Sequence, residues 1–123
     1  MSELPKSLQA VPLPNLGQDD RFATTSNLVN TISMKIIDPG SQSIWGYISI
    51  DNTDRGPGLG GIRMVKEVSL NEIRRLARVM TLKNSAACLP YGGAKAGIIL
   101  KSHKFVENTS FREGLMEKLA DCI

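Results

Sequence analysis

Aromatic residues are scarce, with one tryptophan, two tyrosines and three phenylalanines in 123 residues. The fifteen basic residues therefore have little aromatic interleaving, and they nowhere gather into a block of like charge. A net charge of +3 spread in this way carries no nucleic-acid or membrane-surface signature, and neither partner is expected. Cysteine is equally thin: Cys88 and Cys122 stand far apart, with no C-x-x-C spacing to suggest a metal. Two thiols could pair, but nothing else here has a secreted character. Two reduced, buried or half-buried cysteines are expected, and the chain is assigned to the cytoplasm. The single histidine, His103, sits between Lys101 and Lys104 without a carboxylate or cysteine constellation, so it is assigned to the surface. No metal site is expected. No apolar run approaches the ~20 residues that span a bilayer. The opening MSELPKSLQAVPLPNLGQDDR also lacks the charged-then-apolar pattern of a signal peptide.

What is present is enough apolar sequence, 41% of residues, for a single core. Residues 1–20 carry Pro5, Pro12, Pro14 and Gly17 and read as an irregular arm, leaving 21–123 as the folded domain. Phe22 to Ile32 is read as a short helix. Met34 to Asp38 and Ser43 to Ile50 read as strands around a Pro39-Gly40 turn. Ile62 to Lys66 and Ala96 to Leu100 read as two more strands, with a long helix between them. Ser110 and Glu113 form a capping box for a final helix, whose face runs through Phe111, Leu115, Leu119 and Cys122. That face is still apolar at Ile123 without a stop signal, so the chain is expected to be cut short inside or at the edge of a helix.

The stretch from Gly56 to Leu100 carries the chemistry. Ser69 followed by Glu72 is the S-x-x-E signature of a helix start. Ile73, Leu76, Ala77, Met80 and Ala87 then mark one apolar face, with Arg74, Arg75 and Arg78 as a solvated one. Lys83 follows Met80 by three residues and Leu76 by seven, so it is expected to project from the buried side near the helix end. There it must snorkel, pair or serve a ligand; the alternative is a lysine favoured by the helix macrodipole. Lys95 lies after the turn-like Tyr91-Gly92-Gly93-Ala94 and before a buried run. Small neighbours leave it uncrowded, and a lysine in a partly desolvated pocket can move a proton near neutral pH. Alternatively it is an ordinary surface lysine.

Two phosphate-loop matches fail on context. Gly56, Gly58 and Gly61 satisfy G-x-G-x-x-G, but Pro57 sits inside the match and a strand follows where a dinucleotide-binding turn opens a helix. Gly92-Gly93-Ala94-Lys95 lacks the spacing of a Walker loop.

Three blocks, Gly56 to Met64, Leu76 to Asn84 and Leu89 to Gly97, closely resemble the glutamate/leucine/phenylalanine/valine dehydrogenase family, in its N-terminal substrate-binding and dimerisation domain. The order of the blocks and the twelve-residue separation of Lys83 and Lys95 agree with that family. The resemblance implies an α/β fold with a mixed, largely parallel sheet flanked by helices. It implies NAD(P)-dependent oxidative deamination of an L-amino acid to a 2-oxo acid and ammonia. Lys83 matches the lysine that holds the substrate α-carboxylate, and Lys95 the catalytic lysine. Gly60 and Gly61 match the glycine pair lining the substrate pocket. Leu59 stands where glutamate dehydrogenases place a lysine that reads the side-chain carboxylate. Leucine and phenylalanine dehydrogenases have leucine there, and Met80 also resembles their pattern. An apolar residue cannot compensate a buried carboxylate, which argues for an apolar substrate.

Family enzymes add a Rossmann domain and a catalytic aspartate downstream, neither of which is present in these 123 residues. NAD or NADP is therefore expected to serve the full-length enzyme and not to bind this chain alone. The chain is expected to be inactive in isolation, while self-associating through this domain. A non-catalytic stand-alone dimerisation or amino-acid-binding module, or one chain of a split enzyme, are the alternatives.

Overall fold

A computed structural model describes residues 4–13, 32–100 and 108–122. The expected helix over Phe22 to Ile32 lies outside them except at Ile32, which instead begins a strand; the histidine His103 and the arm residues Pro14 and Gly17 also lie outside. Eight elements follow in order: β1 (Gln9–Pro12), β2 (Ile32–Ile37), β3 (Ile44–Asn52), β4 (Gly58–Leu59), β5 (Ile62–Val65), α1 (Leu70–Ala86), β6 (Gly92–Ile99) and α2 (Thr109–Cys122). Part of the expected irregular arm is thus ordered as an edge strand. Pro12 is tolerated there because an edge position does not require its missing N–H.

The six strands form one mixed sheet with β6 at its centre. β1–β2, β2–β3 and β3–β6 pair antiparallel, whereas β4 and β5 both pair parallel to β6. The parallel share is smaller than the sequence suggests. A tight Pro39-Gly40 connection can join only antiparallel neighbours, and α1 supplies the long crossover from β5 to β6. In that tight turn the Gly40 N–H donates to Asp38 Oδ1 at 2.9 Å and Gln42 adopts a φ of 62°.

Successive β6 residues face opposite sides. Ala96, Ile98 and Leu100 join Ile36, Ile48, Trp45, Phe111, Leu115 and Leu119 in the main apolar cluster against α2. Trp45 reaches that cluster because β3 carries one extra residue there: Ile36 pairs with Gly46 and Ile37 with Ile44. Its ring lies 6.5 Å from that of Phe111. α2 keeps its expected buried face but starts from a different cap. Asn108 Oδ1 accepts from the Phe111 N–H at 3.1 Å, placing the cap two residues before Ser110. Asparagine is at least as good a cap as serine, and it captures the first free N–H groups.

On the other face Gly93, Lys95 and Gly97 look toward α1. A methyl group on Gly93 would run into the backbone of Ala77 and Thr81, and one on Gly97 would stand 2.5 Å from Ile73 Cδ1. The expected glycine turn at 91–95 is therefore the first half of β6. Its small residues serve helix-to-sheet contact and not chain reversal.

Candidate functional site

α1 begins as its sequence dictates. Ser69 Oγ accepts from the Glu72 N–H at 3.1 Å. The reciprocal half of the box is not made: the Glu72 carboxylate turns outward and pairs with Arg63 of β5 at 3.2 Å. The helix's buried residues are Ile73, Arg74, Ala77 and Asn84. Leu76 and Met80 are half-buried on its flank, and Ala87 is an exposed cap residue.

This rotates two expectations. Lys83 is exposed, since the Leu76–Met80–Lys83 row borders the buried stripe and does not form it. Arg74 is buried and Arg78 is engaged, so only Arg75 of the three arginines is exposed as expected. Arg78 Nε donates to Asp51 Oδ1 at 3.0 Å, and Thr81 Oγ1 donates to Asp51 Oδ2 at 2.6 Å. Asp51 is the extra residue of a second irregularity in β3, between Ile50, which pairs with Ala94, and Asn52, which pairs with Gly93.

The end of α1 closes with a left-handed residue. Cys88 adopts a φ of 58°, its N–H donates to Ser85 O, and the Leu89 N–H donates to Asn84 O at 2.9 Å. This is the Schellman arrangement, with cysteine where glycine is usual. Cys88 is consequently exposed, not buried or half-buried, whereas Cys122 is half-buried; both are free thiols.

The site itself lies at an interruption in the edge of the sheet. Leu59 pairs with Gly93 and Ile62 with Ala96, so β4 and β5 share one register across Gly60 and Gly61. The two glycines stand opposite Ala94 and Lys95. Gly60 passes so close to β6 that a side chain would strike the Ala94 carbonyl, and its other neighbour is Met80 Cγ, 3.4 Å from the same point. Lys95 Nζ lies 3.2 Å from where a Cβ on Gly61 would stand. Lys95 is half-buried, and among the described residues its ammonium has no hydrogen-bond or ion-pair partner; neither has that of Lys83. Leu59 is 42% exposed. The structure thus brings Gly60 to Met80 and Gly61 to Lys95, and sets Lys83 one turn beyond Met80 on the same helix flank.

Asn84 holds this arrangement and was not anticipated. It is 3% exposed, and its amide donates to Leu59 O at 3.2 Å and to Gly92 O at 2.7 Å. One side chain thereby ties α1 to both β4 and the start of β6. The available signal was its spacing, because Asn84 continues the row Ile73, Ala77, Thr81 as a polar residue on the inward face.

The G-x-G-x-x-G match is not a dinucleotide-binding turn. It runs from Gly56, at a φ of 142°, through β4 to the start of β5, and no helix N-terminus follows it. No group of three or more metal-ligating side chains occurs among the described residues. None of their helices is long and apolar enough to cross a membrane. A groove of about 680 Å³ between β5 and α2 is lined by Ile62, Met64, Met116 and charged residues of α2; none of the nominated residues lines it.

The small-residue edge thus lies beside Lys95, with Lys83 one turn beyond Met80 on α1. A family profile described as "Glu/Leu/Phe/Val dehydrogenase, dimerisation domain" matches residues 27–123. The chain belongs to this amino-acid dehydrogenase family, through its N-terminal domain. The NADP-specific glutamate dehydrogenase of Synechocystis sp. is 37% identical over 125 residues, covering 98% of this chain and 28% of that protein. The hetero-hexameric glutamate dehydrogenase of Thermus thermophilus, in a Leu-bound form, superposes with a TM-score of 0.57 at 29% identity, covering 95% of this chain and 23% of that one. L-tryptophan dehydrogenase from Nostoc punctiforme gives a TM-score of 0.50 at 30% identity over 57% of this chain and 22% of its own. Both NAD- and NADP-specific glutamate dehydrogenases occur among the relatives. The chain spans about a quarter of the length of the Synechocystis and Thermus proteins.

Proposed function

We propose that this domain supplies the substrate side of an NAD- or NADP-dependent dehydrogenase. The enzyme deaminates an L-amino acid with an apolar side chain to a 2-oxo acid and ammonia. The observation that carries the reading is Lys95, whose unpaired ammonium lies against the Gly61 backbone at a break in the sheet edge. Lys83 holds the substrate α-carboxylate, and the Lys95 ammonium polarises the carbonyl and activates the attacking water through proton transfer. Gly60 and Gly61 give the substrate close access to backbone, while Leu59 and Met80 face its side chain. The cofactor is held by residues other than those described here.

Self-association through this domain is part of the proposal, supported by the family description and by the hexameric relative. The relatives that are glutamate dehydrogenases favour a second reading, glutamate as substrate. Leu59 favours the first, because no cation stands at that position to meet a side-chain carboxylate.

The 123-residue chain taken alone is expected to bind apolar L-amino acids or their oxo acids weakly, without turnover. Calorimetry should show that binding lost in Lys83→Ala, and undiminished binding would remove Lys83 from the site. Incubation with an L-amino acid and a nicotinamide cofactor should produce no reduced-cofactor absorbance. Turnover abolished by Lys95→Ala would show the chain to be catalytically sufficient. Absence of both binding and turnover would favour a non-catalytic dimerisation module.

A further inference from the structure

Ser49 is fully buried, and its hydroxyl has no hydrogen-bond partner among the described residues. A buried polar group in that state needs an explanation, because water has been removed and nothing replaces it. The residue opposite Ser49 in the β3–β6 pairing is Lys95. Opposed residues of an antiparallel pair project from one face with Cβ atoms about 4.5–5.5 Å apart. That face is the one covered by α1: Gly93 and Gly97, on either side of Lys95 along β6, both meet α1 there. The four-carbon stem of Lys95 is long enough to give its nitrogen two positions. One is at Gly61, where it stands in this structure, and the other would be reached by folding back over Ser49, its partner in the pairing.

We propose that Ser49 is a positioning residue for Lys95, receiving its amino group when that group is withdrawn from Gly61. The inference rests on the reading of Lys95 as the proton-moving residue and adds the group that keeps it in reserve. A hydroxyl accepts from an ammonium and donates to a neutral amine, so it can partner both protonation states of an acid–base lysine. A carboxylate could not do so, being an acceptor only. Asp51, two residues further along β3, is already engaged by Arg78 and Thr81. An alanine at 49 would leave the buried end of the lysine's range without a partner.

The test is competitive acetylation of the full chain with trace acetic anhydride, read residue by residue by mass spectrometry. Lys6, exposed and on another part of the chain, is the internal reference. Withdrawal onto Ser49 shields the amine, so Ser49→Ala should raise the Lys95 rate relative to Lys6 about threefold, the scale of one net hydrogen bond. Ser49→Thr should restore the native rate, and Ser49→Cys, a weak donor and acceptor, should fall between. Ser49→Ala removes no hydrogen bond among the described residues, so the variant is expected to fold. Equal Lys95 rates in the native chain and all three variants would overturn the proposal, as would failure of Ser49→Thr to restore the native rate.

A second arm repeats the labelling with an apolar 2-oxo acid present. Protection of Lys95 by the oxo acid without a Ser49 effect would retain the site and remove this contact. A Ser49 effect without protection would retain the contact and remove the substrate assignment.

Discussion

The side-chain amide of Asn84 donates to the carbonyl oxygen of Leu59 at 3.2 Å, across 25 residues of sequence. Through this bond the helix that carries Met80 and Lys83 sets the backbone of the segment that carries Leu59, Gly60 and Gly61. The same amide also holds Gly92, where β6 begins its run toward Lys95. The residues proposed to face substrate, from three separate elements, thus share one internal tie.

Replacing Asn84 by alanine leaves the carbonyls of Leu59 and Gly92 without this donor. The expected loss is about 2 kcal/mol of unfolding free energy, from the cost of unsatisfied buried groups. Asn84→Asp should be at least as damaging, since an ionised carboxylate offers no donor to either carbonyl. Urea unfolding of the two variants measures this. Retention of native stability in both would show that the tie is not structural.

Asp51 holds α1 to β3 through Arg78 and Thr81 and is only 6% exposed. Asp51→Ala removes the shared acceptor and is expected to cost about 2 kcal/mol, below the range for fully buried pairs because Arg78 can turn toward water. Combining Asp51→Ala with Arg78→Ala should cost much less than the sum of the single losses. Additive losses in this double-mutant cycle would show the contact to be incidental.

The strands and helices were largely legible in the sequence because alternation in β3 and the Ser69 cap are local signals. The Gly92-Gly93 segment was not, since two adjacent glycines look like a turn whether they bend the chain or admit a helix. Only the approach of Ala77 and Thr81 decides between the two. Lys83 and Asn84 were confused for a related reason. Leu76 and Met80 drew the expected apolar face toward Lys83, while the real inward row runs through Ala77 and Thr81 to Asn84. Adjacent residues on a helix lie about 100° apart, so a small error in the centre of the face exchanges the buried residue for the exposed one. The three family blocks carried the nominated site residues; Asn84 ends one of those blocks, but its role, like those of Asp51 and Ser49, depends on pairings between distant segments.

Cys88 occupies a left-handed position at the end of α1, where a side chain is strained and glycine is not. Cys88→Gly should stabilise the fold by about 0.5–1 kcal/mol, after allowing for glycine's greater freedom in the unfolded chain. Thermal unfolding measures it. A lower melting temperature would mean that the exposed thiol makes a contribution not evident from its surroundings.

Burial raises the Cys122 thiol above its ordinary value of 9.0, with the nearby Asp121 carboxylate adding to the rise and a backbone hydrogen bond opposing it. The folded state therefore holds its proton where the unfolded state has released it. The stabilising contribution is complete below about pH 9 and is lost as pH rises through the folded value. Cys122→Ala should flatten the fall in stability above pH 9. In the native chain iodoacetamide should modify the exposed Cys88 before the half-buried Cys122. The reverse order of modification would contradict the packing of α2.

The most direct measurement is a calorimetric titration of the full chain and of Leu59→Lys with an apolar 2-oxo acid and with 2-oxoglutarate. The native chain is expected to bind the apolar acid and to discriminate against the dicarboxylate. Leu59→Lys should reverse that order by placing a cation where the second carboxylate arrives. Native binding of 2-oxoglutarate at least as tight as that of the apolar acid, unchanged by Leu59→Lys, would contradict the assignment of Leu59 and of the apolar substrate.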